Sequence, residues 1–392
     1  MTPFNYELAQ DIDSSLRAVA ANRLQGGGND GDGDGTDLHS NRDSPGSTRL
    51  PTPGSARAEG MTQFIAGATN LIDLMKERVM CPALLVDINR LPLAGITARP
   101  DGGLVLGALA RNSDTANDPL VREHFPLLRA AILAGASPQI RNMASNGGNL
   151  LQRTRCYYFY DAGVSCNKHT PGSGCPAATG LARQHAILGA NEHCIATHPS
   201  DMCVALAALE AVVHVRSPAG TREIPFEDFH RLPGDRPDID TTLRSDELIT
   251  HIELPPAEGL RQHCSYLKIR ERTSYAFALV SVAAALELEG DGTVRSARLV
   301  LGGVAHKPWR NRDAETLLVG RPAQTAYFTA AADLVLAQAR SWGGPAIPES
   351  TPGNGFKIPM ARRAVVRALE MAAAGILTNT GEDAARLEED CR

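Results

Sequence analysis

The stretch FIAGATNLIDLMK, residues 64–76, passes from an apolar, strand-like start through Gly67 into a helix-like spacing of leucine, isoleucine and methionine. A strand, a glycine turn and a helix start leave backbone N–H groups unpaired at the helix N-terminus, where the dipole favours an anion. The stretch matches neither G-x-G-x-x-G nor G-x-x-x-x-G-K-[ST]. Alone, it reads most simply as an ordinary strand–turn–helix.

A second run changes the balance. ASPQIRNMASNGGNLLQRTRC, residues 136–156, packs Gln139, Arg141, Asn142, Ser145, Asn146, Gly147, Gly148 and Asn149 into a short polar loop. Small donors and paired glycines let a backbone approach a pyrophosphate or a ring edge closely. An ordinary surface loop is the bland alternative.

Outward from these motifs, 392 residues suffice for two or three domains with sizeable cores. A net charge of −5 argues against a nucleic-acid partner and gives no support for an anionic membrane surface. Apolar runs such as YAFALVSVAAALELE (275–289) are too short to span a bilayer, so no membrane insertion is expected. The start, MTPFNYELAQDIDSSL, has neither a basic n-region nor an apolar h-region. Synthesis in a reducing cytoplasm is therefore expected; export to the periplasm with a signal-bearing partner is compatible with this.

Residues 24–60 are rich in Gly, Asp, Ser and Pro and are expected to form a disordered low-complexity insertion. Within them Asp30, Asp32 and Asp34 resemble the opening of a calcium loop, but Asn41 stands where a bidentate Glu belongs. After the insertion, strands and helices alternate. ALLVDI and GGLVLGAL read as strands, PLVREHFPLLRAAILAGA as helical, HCIATH as a strand, and PSDMCVALAALEA as a helix capped by Ser200 or Asp201. VVHVRSP and TREIPF form a hairpin. From 263 the strands CSYLKIRER, FALVSVAAALEL and VRSARLVLGGV precede helices near 312–340 and 358–376, a pattern of a separate α+β domain. Residues 377–392 read as a flexible tail.

Four of the eight cysteines, Cys156, Cys166, Cys175 and Cys194, occur as C-x9-C-x8-C-x18-C in glycine- and proline-rich text. In a reducing compartment, clustered cysteines bind metal or act in redox chemistry more often than they form disulfides. On ligand count, four thiolates hold zinc or a [4Fe–4S] cluster equally well, and spacing alone leaves zinc, iron–sulfur and unligated thiols open. His185, His193 and His198 lie near them in sequence, but four thiolates already complete a site. Arg153 and Arg155 would stabilise an anionic cluster or face phosphates, and Tyr157–Tyr160 would shield it or pack a core. Cys81, Cys203, Cys264 and Cys391 have packing or tail readings. No Ser-His-Asp or paired-carboxylate arrangement stands out.

FIAGATNLIDLMK, RNMASNGGNLLQRTRCYYFYD, CIATHPSDMCVAL, KIRERTSYAFALVSVA and LGGVAHKPWR together resemble the flavin-binding subunit of the xanthine dehydrogenase family of molybdenum hydroxylases. The likeness is greatest to the FAD/[4Fe–4S] subunit of three-subunit bacterial aldehyde oxidoreductases. It implies an α+β fold: a two-subdomain, PCMH/vanillyl-alcohol-oxidase-like FAD-binding domain (1–23 and 61–260), then a smaller α+β C-terminal domain (263–376). It places the FAD pyrophosphate on Gln63, Phe64, Ile65, Ala66, Gly67, Ala68, Thr69, Asn70 and Leu71. Further FAD contacts fall on Ser145, Asn146, Gly148 and Asn149. Ser200 and Asp201 match a Ser-Asp pair on the flavin or ribityl side, and Lys268 a basic residue near the flavin.

Ala68 stands where the family has a second glycine; its methyl is accommodated where φ is negative. The resemblance also implies a [4Fe–4S] cluster on the four cysteines, in an insertion at about 153–196. The partners implied are a molybdopterin-binding large subunit and a [2Fe–2S] small subunit, with FAD passing electrons to an external acceptor. Two other readings stand beside this one: the flavin subunit of a 4-hydroxybenzoyl-CoA reductase, and a zinc-stabilised nucleotide-binding scaffold without redox chemistry.

Overall fold

A computed structural model describes residues 1–25, 61–344 and 353–378. The calcium-like aspartates and nearly all of the 24–60 segment lie outside these residues, as do residues 379–392. Leu24 and Gln25 belong to the helix Ile12–Gln25, which runs two residues past the start expected for the insertion.

Three sheets organise the chain. The first is parallel, with strands β1 (Asn5–Leu8), β2 (Thr62–Ile65) and β3 (Leu84–Asp87) in the order β1-β3-β2. Parallel neighbours need crossover connections, and the helices Ile12–Gln25 and Leu71–Lys76 supply them. The second sheet is antiparallel: β4 (Ile96–Ala98), β5 (Leu104–Gly107), β6 (Val212–Ser217), β7 (Gly220–Pro225) and β8 (Leu248–Leu254), ordered β4-β5-β8-β6-β7. Strands β6 and β7 are the expected hairpin. In β6, Val213 and Val215 enter the core, while His214 faces outward and stacks on His251 with centroids 4.2 Å apart.

The third sheet contains β9 (Cys264–Ile269), β10 (Val280–Leu288), β11 (Val294–Gly302) and β12 (Trp309–Arg310), ordered β12-β11-β10-β9. Period two divides β10 between two cores. Val282, Ala284 and Leu286 pack under the helices Arg312–Leu318, Thr325–Val335 and Lys357–Ala373. Ala283 and Ala285 face the helical layer around Pro126–Ala134 and Asp201–Ala208. A strand covered on both faces reads as a continuous apolar run, which is why VSVAAALEL carries no polar alternation.

Several expectations are corrected. PLVREHFPLLRAAILAGA breaks into Pro119–His124 and Pro126–Ala134, because Pro126 has no N–H to continue the first helix and instead starts the second. HCIATH forms no strand; an isolated bridge joins Asn191 to Cys194, and Ile195 accepts from the Ala186 N–H. Leu377 and Thr378 are tied down rather than loose: the Tyr266 N–H donates to the Leu377 carbonyl, and Thr378 bridges Tyr266.

Candidate functional site

A cavity of about 230 Å³ opens between the first sheet and the second. Residues Gln63 to Leu71 line it on one side, with Ser145, Gly147 and Gly148 on another. Two sequence motifs more than seventy residues apart thus converge on one space.

The convergence depends on backbone contact. A methyl group at Gly67 would stand 2.0 Å from the Met143 carbonyl oxygen, so only glycine lets the two loops touch. Two residues that sequence reasoning missed lock this junction. Asn89, just after β3, donates to the Ala66 carbonyl at 3.1 Å. Arg111 donates to Met143 O at 2.5 Å and to Asn89 Oδ1 at 3.0 Å. Neither sits in a recognisable motif, since each acts through a fold-specific contact.

Ala68 departs from expectation. Its φ is +59°, in the left-handed region rather than the negative one. The chain must reverse here between β2 and the helix Leu71–Lys76, and a β-carbon in that conformation is strained. Asn70 ties the turn onward: its Oδ1 accepts from the Arg153 N–H at 2.9 Å, and its Nδ2 donates to Tyr160 Oη at 3.3 Å.

The second loop is built by side-chain caps. Ser145 caps the short helix Asn146–Leu150, accepting from the Gly148 N–H at 3.2 Å. Asn146 is fully buried and exchanges hydrogen bonds with Asn112, Thr115 and the Gly107 carbonyl. Its side chain therefore holds the loop onto β5 and does not reach the cavity. Asn149 also lies off the cavity lining: it donates to Asn112 Oδ1 at 2.7 Å and accepts from Ser200 Oγ.

Ser200 and Asp201 lie in a neighbouring cleft with Arg155, Cys156, His185, His198 and Phe277. Ser200 caps the helix Asp201–Ala208 through the Cys203 N–H at 3.1 Å. Lys268 is not part of that lining. Its ammonium donates to Asp201 Oδ2 at 2.8 Å and to the Ala134 carbonyl at 3.0 Å, while Tyr266 Oη donates to Asp201 Oδ1 at 2.7 Å. The lysine charge is neutralised inside the protein. Asp201 keeps one edge on the cleft.

Cys156, Cys166, Cys175 and Cys194 line one small cavity together with Tyr158, Phe159, Lys168 and His193. Burial pushes the Cys156 thiol up to about 12 and raises Cys166. The Cys194 thiol donates to Cys175, which lowers Cys175 and raises Cys194. Cys156 also lines the cleft, so the thiol cavity and the cleft share a wall.

A charged network joins the thiols to the first cavity. Lys168 is buried; its Nζ lies 2.5 Å from Asp240 Oδ1 and donates to the Pro237 carbonyl at 2.7 Å. Arg153 Nε lies 2.6 Å from Asp240 Oδ2. Asp240 and Arg153 border the larger cavity, and Lys168 borders the thiols. Burial disfavours the Asp240 charge, but the Arg153 and Lys168 cations hold its carboxyl well below the usual range.

Of the three nearby histidines, His185 reaches a sulfur: its Nε2 is 3.0 Å from Cys156 Sγ. His193 lines the thiol cavity. His198 packs instead against His230, ring centroids 4.2 Å apart, and forms with it and Cys203 a buried group. There the Ser200 N–H donates to His198 Nδ1, and His230 Nε2 faces the Leu150 carbonyl at 2.9 Å. Arg155 lies over Phe277, its guanidinium carbon 4.9 Å from the ring centroid, on the wall of the cleft that it shares with Cys156.

A parallel three-stranded unit, an antiparallel sheet and a glycine-bounded cavity between them define a nucleotide-cofactor domain, followed by a sheet-and-helix domain. Residues 55–257 match the family described as the FAD binding domain in molybdopterin dehydrogenase, and residues 265–345 the CO dehydrogenase flavoprotein C-terminal domain. The chain belongs to the FAD-binding oxidoreductase subunits of the molybdenum hydroxylase family. It is 46% identical over 331 residues to the aldehyde oxidoreductase FAD-binding subunit PaoB of Escherichia coli, covering 83% of this chain and 97% of that protein. It is 29% identical over 260 residues to the glyceraldehyde dehydrogenase medium chain of Sulfolobus acidocaldarius, 66% of this chain and 74% of the relative. Among solved structures, the carbon monoxide dehydrogenase of Hydrogenophaga pseudoflava superposes with a TM-score of 0.65 at 24% identity, covering 96% of this chain and 99% of that one.

Proposed function

We propose that this chain is the FAD- and [4Fe–4S]-containing electron-transfer subunit of an aldehyde-oxidising molybdenum hydroxylase complex. A molybdopterin-binding large subunit and a [2Fe–2S] small subunit are its partners, and an external acceptor takes the electrons. The aldehyde branch follows from the 46% identity to PaoB.

The observation that carries the reading is the shared wall at Cys156. Four thiols separated by up to thirty-eight residues of sequence meet in one cavity, and one of them also lines the cleft beside the FAD domain. The donor set fits an anionic, thiolate-ligated group. Asp240 shares its single negative charge between Arg153 and Lys168, which leaves one net positive charge beside the sulfurs. Four thiolates could hold zinc equally well on ligand count; the place of the cysteine insertion, directly after the Ser145–Asn149 loop, favours a cluster beside the flavin.

The chain's residues divide the work. The Ala66–Leu71 turn and the Ser145–Gly148 loop would hold the FAD diphosphate through backbone N–H groups. Bound FAD accepts electrons singly or in pairs, which lets it join one-electron carriers to a two-electron acceptor. Phe159 and Ala177, both buried, exclude water on the side of the sulfurs.

Anaerobically purified protein is expected to hold one FAD and about four iron atoms per chain, with broad absorption near ~400 nm that dithionite bleaches. Cys166→Ser should lose the iron and keep the flavin. One zinc per chain in place of iron, or unchanged iron in Cys166→Ser, would overturn the assignment.

A further inference from the structure

We propose that His185 donates an N–H···S hydrogen bond to the Cys156 thiolate and thereby raises the reduction potential of the group held by the four cysteines. This rests on the [4Fe–4S] reading above.

His185 Nε2 stands 3.0 Å from Cys156 Sγ, and the residue is 2% exposed. Water therefore has little access to the imidazole, while Cys156 is half-buried at the edge of the cleft. Between an unligated thiol and an imidazole the proton of this contact can sit on sulfur or on nitrogen. A cysteine that ligates iron does so as a thiolate and has no proton to offer. The imidazole Nε2–H is then the donor, and the ring needs no rearrangement to supply it.

The ring is held for this task from both sides of its backbone. The His185 N–H donates to the Ala182 carbonyl at 2.8 Å. Its carbonyl accepts from Asn354 Nδ2 at 3.2 Å and from Lys357 Nζ at 2.8 Å. Asn354 and Lys357 are themselves fully buried. Tyr157 lies edge-on to the ring, centroids 6.2 Å apart.

Position gives the contact its consequence. Of the four cysteines only Cys156 also lines the cleft, and His185 lines that cleft beside it. His185 thus acts on the one thiol of the four that borders both the thiol cavity and the cleft. Reduction adds negative charge to the cluster and its sulfurs, and a donor hydrogen bond stabilises that charge. His185 is a tuning residue for electron exchange, not a ligand.

The test uses the full chain, purified anaerobically with cofactors bound, in an EPR-monitored redox titration. His185→Leu removes the donor; His185→Gln retains an N–H that can reach the sulfur. Iron content and flavin potential are expected to stay at wild-type values in both. In His185→Leu the cluster's midpoint is expected to fall so that about tenfold less is reduced at a fixed solution potential, ~59 mV for one electron. His185→Gln should stay near wild type. An unchanged midpoint in His185→Leu, or an equal fall in both variants, would overturn the proposal. Should both variants lose iron, pulsed EPR of the reduced wild-type protein carrying ¹⁵N-histidine decides: a histidine nitrogen coupled to the cluster supports the hydrogen bond, and its absence overturns it. Wild-type protein with zinc instead of iron would sink the cluster reading first, and this inference with it.

Discussion

Gly67 and Ala68 are adjacent, yet the turn asks opposite things of them. At Gly67 the constraint is space: the Met143 carbonyl occupies the volume a methyl would need. At Ala68 the constraint is conformation: φ is +59°, and the methyl is paid for in strain. Gly67→Ala is expected to separate the two cofactor loops and to lower FAD content at least tenfold, measured by flavin fluorescence after gel filtration. Ala68→Gly is expected to keep FAD and to stabilise the protein by ~1 kcal/mol, because glycine holds a left-handed φ without the β-carbon penalty. A chemical denaturation curve with an unchanged or earlier midpoint would refute this. Ser200 has a comparable local role: as N-cap of the helix Asp201–Ala208 it is worth ~1 kcal/mol, and Ser200→Ala also frees Asn149.

At the scale of elements, the loop that carries the cysteines has little regular structure of its own. Between the short helix Tyr157–Tyr160 and the helix Asp201–Ala208, only one turn of 3-10 helix is present. Its shape is set by side-chain contacts across it and out of it: Asn167 Nδ2 to the His193 carbonyl within the loop, and Lys168 to Asp240 and His169 to the Phe159 carbonyl outside it. Asp240→Asn would leave Lys168 and Arg153 as two cations without a carboxylate. Breaking such a pair costs on the order of 3 kcal/mol. The expected result is a lower denaturation midpoint together with partial loss of both iron and FAD, because the network borders both cavities. Loss of stability with full retention of both cofactors would show that the network is structural only.

Across the whole molecule, buried histidines set the response to acid. Burial lowers His185 and His230 to about 4, and lowers His198 and His306 further below the usual value. In the unfolded chain these rings take up protons near pH ~6.5. From there down to about 4 the unfolded state binds more protons, so stability is full above pH ~6.5 and falls as pH drops through this window. Each ring contributes up to ~1.4 kcal/mol per pH unit. Denaturation midpoints measured from pH 7 to pH 5 should fall steeply, and less steeply in His230→Gln. A flat profile would contradict the neutral, buried state of these rings. No helix among the described residues is long and apolar enough to cross a membrane.

Much of this was legible in the chain itself. Strands such as VSVAAALEL, the hairpin of VVHVRSP and TREIPF, and the turn FIAGATNL are coded by local periodicity and glycine placement. These are properties of neighbouring residues, so a linear reading recovers them. The family resemblance rested on the same contiguous motifs. What the chain could not disclose were contacts between residues distant in sequence: Asn89 and Arg111 at the loop junction, Asp240 between Arg153 and Lys168, and Lys268 turned inward onto Asp201. The four cysteines lie between these limits. Their number and residue type were plain, but spacing alone left zinc and iron–sulfur equal. Only tertiary packing decided that Cys156 belongs to two sites at once, because a shared wall exists only after both cavities have formed.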